Sequence, residues 1–419
     1  MGSYVNGVYV PVLGETGWDD EVGDFLTRSG ESRVNVKAEP YGAKGDGVTN
    51  DTAAIQAAID THANIVEFPP GTYKLGDGTG LQLTGPTTFR GAGRRATVLT
   101  TKNAYAFSAP STGSMDEVYI QDLGTQVRTG STSGGGIKAV SNSYHSSWDI
   151  SRVECSGVGY GAGGTDPLIW LDGFIGGSLR HVRCANAGGD AFKVASAGFV
   201  SNTFAFWNCG ISNVSGQAYN LAGGSMAKIT GGSVEGSAGI LVADHVSARI
   251  KEIWFEGNQG IHVNCTGAST NTVIADNKFH NTTGANHIRF QNTSHYGVVR
   301  GNTFQDAPST SDYVLIDSGI TGTAIGPGNK GLDRDQHVTD NGTGTVNFGP
   351  DRDGWMPLMS KLWVSPSRGG VLYLKELATD PDAAGADAGY LYVRDNGSGK
   401  TQLCIRFASG AVQVIATQP

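Results

Sequence analysis

PYGAKGDGVTNDTAAIQAAIDTHANIVEFPPGTYKL, residues 40–75, is the stretch on which the fold turns. It contains a short helix, from about Thr52 to Asp60, with Asn50 or Asp51 as its N-cap. A strand, Ile65 to Phe68, and a Pro69-Pro70-Gly71 turn follow. Asp46 and Asp51 read first as cap and turn formers, because a short carboxylate accepts hydrogen bonds from the backbone beside it.

Outward from this stretch, short β-type runs recur from about residue 148 to 326, each ending in small or Asn-rich turns. The triplets Val153-Glu154-Cys155, Val182-Arg183-Cys184, Trp207-Asn208-Cys209, Gly232-Ser233-Val234, Ile253-Trp254-Phe255, Asn277-Lys278-Phe279 and Asn302-Thr303-Phe304 end at intervals of 29, 25, 25, 21, 24 and 25 residues. A second apolar strand lies in each period, as at Phe192-Lys193-Val194 and Ile288-Arg289-Phe290. No 3.6-residue period separates them, which excludes leucine-rich and helical solenoids and leaves a parallel β-helix. Its coils would pair at about 4.8 Å, with Cys155, Cys184, Cys209, Val234, Phe255, Phe279 and Phe304 as one inward ladder. Glycines and asparagines would supply the left-handed corners.

The motifs Tyr41-Gly42-Ala43-Lys44-Gly45-Asp46-Gly47, Asn50-Asp51-Thr52 and Phe68-Pro69-Gly71-Tyr73 resemble the opening signature of the pectate-lyase-like superfamily. That resemblance implies a single-stranded right-handed parallel β-helix with an N-terminal capping helix, and it implies no particular reaction. Tyr4 to Pro11 with Glu15-Thr16-Gly17-Trp18 resembles the lead-in of phage tail-spike and tail-fibre proteins. Leu391 to Leu403 with Ala411 to Ala416 resembles a C-terminal module of phage-type proteins. The expected organisation is a lead-in at 1–36, the β-helix at 37–331, a polar linker at 332–353 and a small C-terminal β domain at 354–419. This last unit is too short for a large core of its own, so partner subunits would complete it as a homotrimer. The lead-in resemblance implies attachment to a phage tail or baseplate.

Composition bounds the partners. The chain has 419 residues, 63 of them glycine, and only 16% are charged. Lys plus Arg is 30 against Asp plus Glu 38, a net charge of −8 without a long basic run, so neither nucleic acid nor an anionic membrane is an expected partner. Neither a secretory signal nor an apolar run of membrane-spanning length is present in the sequence. Localisation on a virion tail or in the extracellular space is the expectation. Five cysteines without a C-x-x-C pair read as buried thiols, and no cofactor or metal is expected.

On a β-helix, outward side chains of one column lie about 5 Å apart, so a glycan along the axis meets a ladder of groups. The position after the inward ladder reads Ser156, Ala185, Gly210, Glu235, Glu256, His280, Gln305. Two carboxylates on successive coils suit a retaining glycosidase. On the other strand, Asp190, Gln217, Ala238, Gln259 and Asn286 form a second column, with Lys193, Asn220, Leu241, His262 and Arg289 three residues further on. Gly188-Gly189-Asp190 resembles a Gly-Asp element that superfamily members carry near the active site. Asp190, Glu235 and Glu256 are therefore the catalytic candidates, with Asp190 paired to Glu235 two coils away implying inversion instead of retention, and Lys193, Gln217, Gln259, His262, His280 and Arg289 the substrate-binding ones. The function expected is a tail-spike-like polysaccharide depolymerase that hydrolyses glycosidic bonds. Its rivals are a non-catalytic glycan-binding fibre and an eliminating polysaccharide lyase.

Overall fold

The computed structural model describes residues 33–140, 142–157, 164–196, 199–284, 286–305, 312–332, 337–347, 380, 389–407 and 411–419, with the backbone of short strands elsewhere. At its start Asn50 and Asp51 divide the work of opening the helix Thr52–Ile59. Asn50 Oδ1 accepts the Thr52 N–H at 3.1 Å and the Thr52 hydroxyl at 2.8 Å, which caps the first turn. Asp51, buried, instead accepts the N–H groups of Lys44 at 2.7 Å and Gly45 at 3.0 Å and so ties down the preceding loop. Gly45 is required there: its φ is +62°, and a Cβ would sit 3.0 Å from the Tyr73 ring. Asp46 accepts the Thr49 and Val48 N–H groups, each at 2.8 Å, and these bonds hold its carboxyl down at about 2. Both aspartates are the turn formers expected from the sequence. The helix buries Ile55, Ala58 and Ile59, closing the first coils of a parallel β-helix.

Three long parallel ladders make the solenoid. One is an eleven-stranded sheet running from Leu81–Gln82 to Val338–Asp340. The other two share a 22-stranded sheet and are joined where strands Ala205–Val214 and Lys228–Glu235 continue through the corner. That corner is a column in its own right. The residues directly after the register Gln121–Ser151–Arg180–Trp207–Thr230–Lys251–Ala275–Arg300 are Asp122, Arg152, His181, Asn208, Gly231, Glu252, Asp276 and Gly301, and all have positive φ. Arg152, His181 and Glu252 show that glycine and asparagine do not supply every corner; the stacked neighbours impose the left-handed turn on ordinary side chains as well.

The inward ladder is Cys155, Cys184, Ile211, Val234, Phe255, Phe279, Phe304. Cys209, expected in it, is buried elsewhere. The triplet Trp207-Asn208-Cys209 is in register with Arg180-His181-Val182 at the corner, so Ile211 takes the ladder position two residues later. Trp207 is consequently 44% exposed, while Trp148 is fully buried. Phe255, Phe279 and Phe304 stack at centroid separations of 4.8 and 5.0 Å, near the coil spacing itself.

Parallel pairing runs on past residue 331. Val338–Asp340 and Val346–Asn347 add to the two sheets, within the segment that the sequence reads as linker. Toward the C-terminus Glu376–Leu377, Gly389–Asp395, Thr401–Phe407 and Gln413–Thr417 form a separate, mainly antiparallel four-stranded sheet. Among the described residues no helix is long and apolar enough to cross a membrane.

Candidate active site

Register places Glu235 and Glu256 on adjacent coils as direct partners, with Ser212 before them and His280 and Gln305 after. Ser212 replaces the expected Gly210 for the reason that displaced Cys209. Strands Lys228–Glu235, Trp254–Asn258 and Lys278–Thr282 carry these side chains, and the alternation of Val234, Phe255 and Phe279 inward turns their neighbours outward.

The same alternation places a second outward column two residues earlier: Gly124, Glu154, Arg183, Gly210, Ser233, Trp254, Lys278, Thr303. Trp254 is 37% exposed, and its indole N–H donates to Glu256 Oε2 at 2.9 Å. His280 Nδ1 lies 3.5 Å from Glu256 Oε1, a contact that becomes an ion pair when the imidazole is protonated. Lys278 Nζ stands 4.3 Å from the Trp254 ring centroid, a cation–π contact that fixes the indole plane. The side chains toward the N-terminus of this cluster are small: Gly210, Ser212 and Ser233 are partly exposed, and a Cβ on Gly210 would meet only Ser233 Oγ at 3.8 Å.

The remaining expected residues lie apart from this cluster. Asp190 precedes strand Phe192–Ala195 of the eleven-stranded sheet, and both its oxygens are engaged, by the Gln217 N–H at 2.7 Å and the Asn220 amide at 2.8 Å. With its amide turned so that the nitrogen faces them, Gln217 donates to the carbonyls of Ala238 and Gly239, at 3.3 and 3.0 Å. Lys193 lies 4.9 Å from the Trp170 ring centroid, and Arg289 pairs with Asp317 at 2.8 Å. The column through Lys193, Asn220 and Leu241 continues to Asn264 and then Arg289, two residues from the expected His262. That slip puts His262 in the core, fully buried, 2.9 Å from His287 between their Nδ1 atoms and stacked on Phe255 and Phe279. It cannot contact a sugar. Gln259 is exposed but lies two residues outside the expected column.

The sequence reading left out Trp254 and Lys278 as site residues, although Trp254 is two positions before Glu256 and strand alternation carries both to one face. It also left out Arg94 and Arg95, which lie in coils before the recognisable repeat.

Residues 34–144 match the model of a family described as rhamnogalacturonase A/epimerase, pectate-lyase-like. No curated protein sequence matches significantly. Among solved structures, the mannuronan C-5 epimerase A-module of Azotobacter vinelandii aligns with TM-score 0.56 at 20% identity, over 75% of this chain and 97% of that one. An open-reading-frame product of Geobacillus virus E2 aligns with TM-score 0.52 at 16% identity, over 100% of this chain and 82% of that one. Tailspike protein 3 of bacteriophage CBA120 aligns with TM-score 0.51 at 14% identity, covering 98% and 72% respectively. The fold is thus the right-handed parallel β-helix of pectate-lyase-like proteins, and its structural neighbours include a phage tailspike.

Proposed function

We propose that this chain is a tailspike-like protein that binds a cell-surface polysaccharide and hydrolyses its glycosidic bonds at Glu235 and Glu256. One observation carries the reading: the two carboxylates are direct register partners on adjacent coils of an open face. Coils repeat at about 4.8 Å, close to the separation of about 5 Å between the two carboxyl groups of retaining glycosidases. Glu256, aimed by the Trp254 indole, attacks the anomeric carbon. Glu235 gives its proton to the leaving oxygen. Water then enters, Glu235 takes its proton, and the glycosyl–Glu256 bond breaks with overall retention. Trp254 also offers the sheet beside it an aromatic edge against which a sugar ring can lie.

A virion-tail location and a homotrimer belong to the same reading. The C-terminal sheet leaves Leu391, Phe407, Val414 and Ile415 between 44% and 56% exposed, an apolar surface that symmetric copies would bury. The lead-in would serve attachment to the tail. The structural similarity to a phage tailspike supports the virion-tail location.

The decisive experiment is incubation with purified capsule or exopolysaccharide. Loss of viscosity with retained anomeric configuration is expected from the wild type, and retained binding without cleavage from Glu235→Gln and Glu256→Gln. Products that absorb in the ultraviolet through a new double bond would replace hydrolysis by elimination. Full activity in both amide variants would remove these residues from the chemistry.

A further inference from the structure

Four coils before Glu256, on the same face, the surface sinks into a cavity of about 260 Å³ lined by Arg94, Arg95, Gln126, Glu154 and Ser156. Ser156 belongs to the column that leads through Ala185, Ser212 and Glu235 to Glu256. Four steps of about 4.8 Å put the cavity about 19 Å from Glu256 along the axis. Two guanidinium groups meet one carboxylate there: Arg94 Nε and Arg95 Nε stand 3.9 and 3.6 Å from Glu154 Oε2. Those contacts orient the arginines by charge but are too long to be hydrogen bonds, so Glu154 does not consume their donors. Arg183, outside the lining, is the register partner of Glu154 on the next coil. In a chain of net charge −8, two guanidinium groups around one carboxylate are a local excess of positive charge and a departure from the average surface.

We infer that this cavity is a subsite for an anionic substituent of the polysaccharide, a carboxylate, phosphate or sulfate. Planar guanidinium forks recognise each of these through paired N–H donors, and Gln126 and Ser156 supply neutral hydrogen bonds alongside. The inference rests on the proposed face being the glycan-binding one, and it specifies the substrate further: a charged polymer that spans the cavity and the carboxylate pair at once.

Affinity electrophoresis of the full chain through gels containing polyuronate, dextran sulfate, a polyphosphate-bearing glycan or neutral dextran tests it. Retardation by at least one anionic polymer, weakened by salt and absent with dextran, is expected, and the polymer that retards identifies the anion. Arg94→Gln/Arg95→Gln should weaken that retardation at least ten-fold. The charge-matched control Lys330→Gln/Lys400→Gln, at exposed positions outside the cavity, should not. Retardation by none of the anionic polymers, equal retardation by dextran, or an arginine variant that behaves like the control would overturn the subsite. Glu256→Gln should bind as the wild type does, so a failure of the cleavage reading leaves this result intact and distinguishable.

Discussion

Gln56 on the capping helix acts as the missing neighbour of Gln82: its Nε2 donates to the Gln82 carbonyl at 3.0 Å, and its Oε1 accepts the Gln82 N–H at 2.9 Å. Leu81–Gln82 is the terminal strand of the eleven-stranded sheet, and a terminal strand offers unpaired backbone groups to any other chain. One side-chain amide has the donor and the acceptor that such an edge lacks. Gln56→Ala should therefore cost about 1–2 kcal/mol and speed amide exchange at Gln82, as read by denaturant unfolding and hydrogen exchange. An unchanged midpoint together with unchanged exchange would show that the helix covers the edge without this contact.

The buried asparagines Asn277, Asn302 and Asn329 form a ladder along one corner. Asn302 Oδ1 accepts both the backbone and amide N–H of Asn277 at 3.0 Å, while its own amide donates to the Ile274 carbonyl at 3.0 Å. Asn302→Ala strips several buried groups of partners at once, so a loss of about 3 kcal/mol or more is expected in urea unfolding. Asn302→Asp turns an oxygen toward the Ile274 carbonyl and Asn329 Oδ1 in a buried site, and should cost at least as much as Asn302→Ala.

His245 is fully buried against Phe204, and burial lowers its imidazole to about 4. The unfolded chain holds this group near its ordinary 6.5 and binds the proton more readily, so its effect on stability is absent above that pH. As the pH falls from about 6.5 to about 4, stability is lost, by about 3 kcal/mol at most. His245→Met should flatten that part of the stability–pH curve, and a variant with the wild-type slope would assign the slope to other groups.

Burial pushes the Cys209 and Cys265 thiols up to about 12, and Cys184 well above its ordinary value. Thiolate is the reactive form, so these cysteines should resist alkylation in the folded protein at neutral pH and react on unfolding. Peptide mapping after brief iodoacetamide treatment checks this, and labelling of Cys184 in native protein would contradict the packing described.

Trp254→Phe preserves the ring but removes the N–H that aims Glu256. Loss of one hydrogen bond to a charged group corresponds to about a ten-fold fall in kcat, with polymer binding little changed. A fall in binding alone would make Trp254 a sugar platform and not a positioning residue.

Much of this architecture can be read from the chain because each coil must repeat the same inward position. Phe255, Phe279 and Phe304 announce their ladder at nearly constant spacing, and Glu256 and His280 follow it outward. Where coil length changes, the reading slips by two residues and lands on a neighbouring inward or corner position of the same parity. Cys209 stood in for Ile211 this way, and His262 for Asn264. A slip of two keeps the apolar pattern intact, so periodicity alone does not detect it. The left-handed turns at Arg152, His181 and Glu252 have no local signal either, since the neighbouring coils impose them. Arg94 and Arg95 escaped because the coils that hold them carry no recognisable triplet.

The direction of pairing has a mechanical consequence. Hydrogen bonds between coils point along the axis, as do the stacked contacts of Phe255, Phe279 and Phe304. A pull on the two ends would load one coil interface after another in series, so the rod would part at its weakest interface. A push would close the same interfaces onto side chains already in contact, which resist compression as a packed interior does. The solenoid is built as a strut and not as a tether, stiff along its own axis.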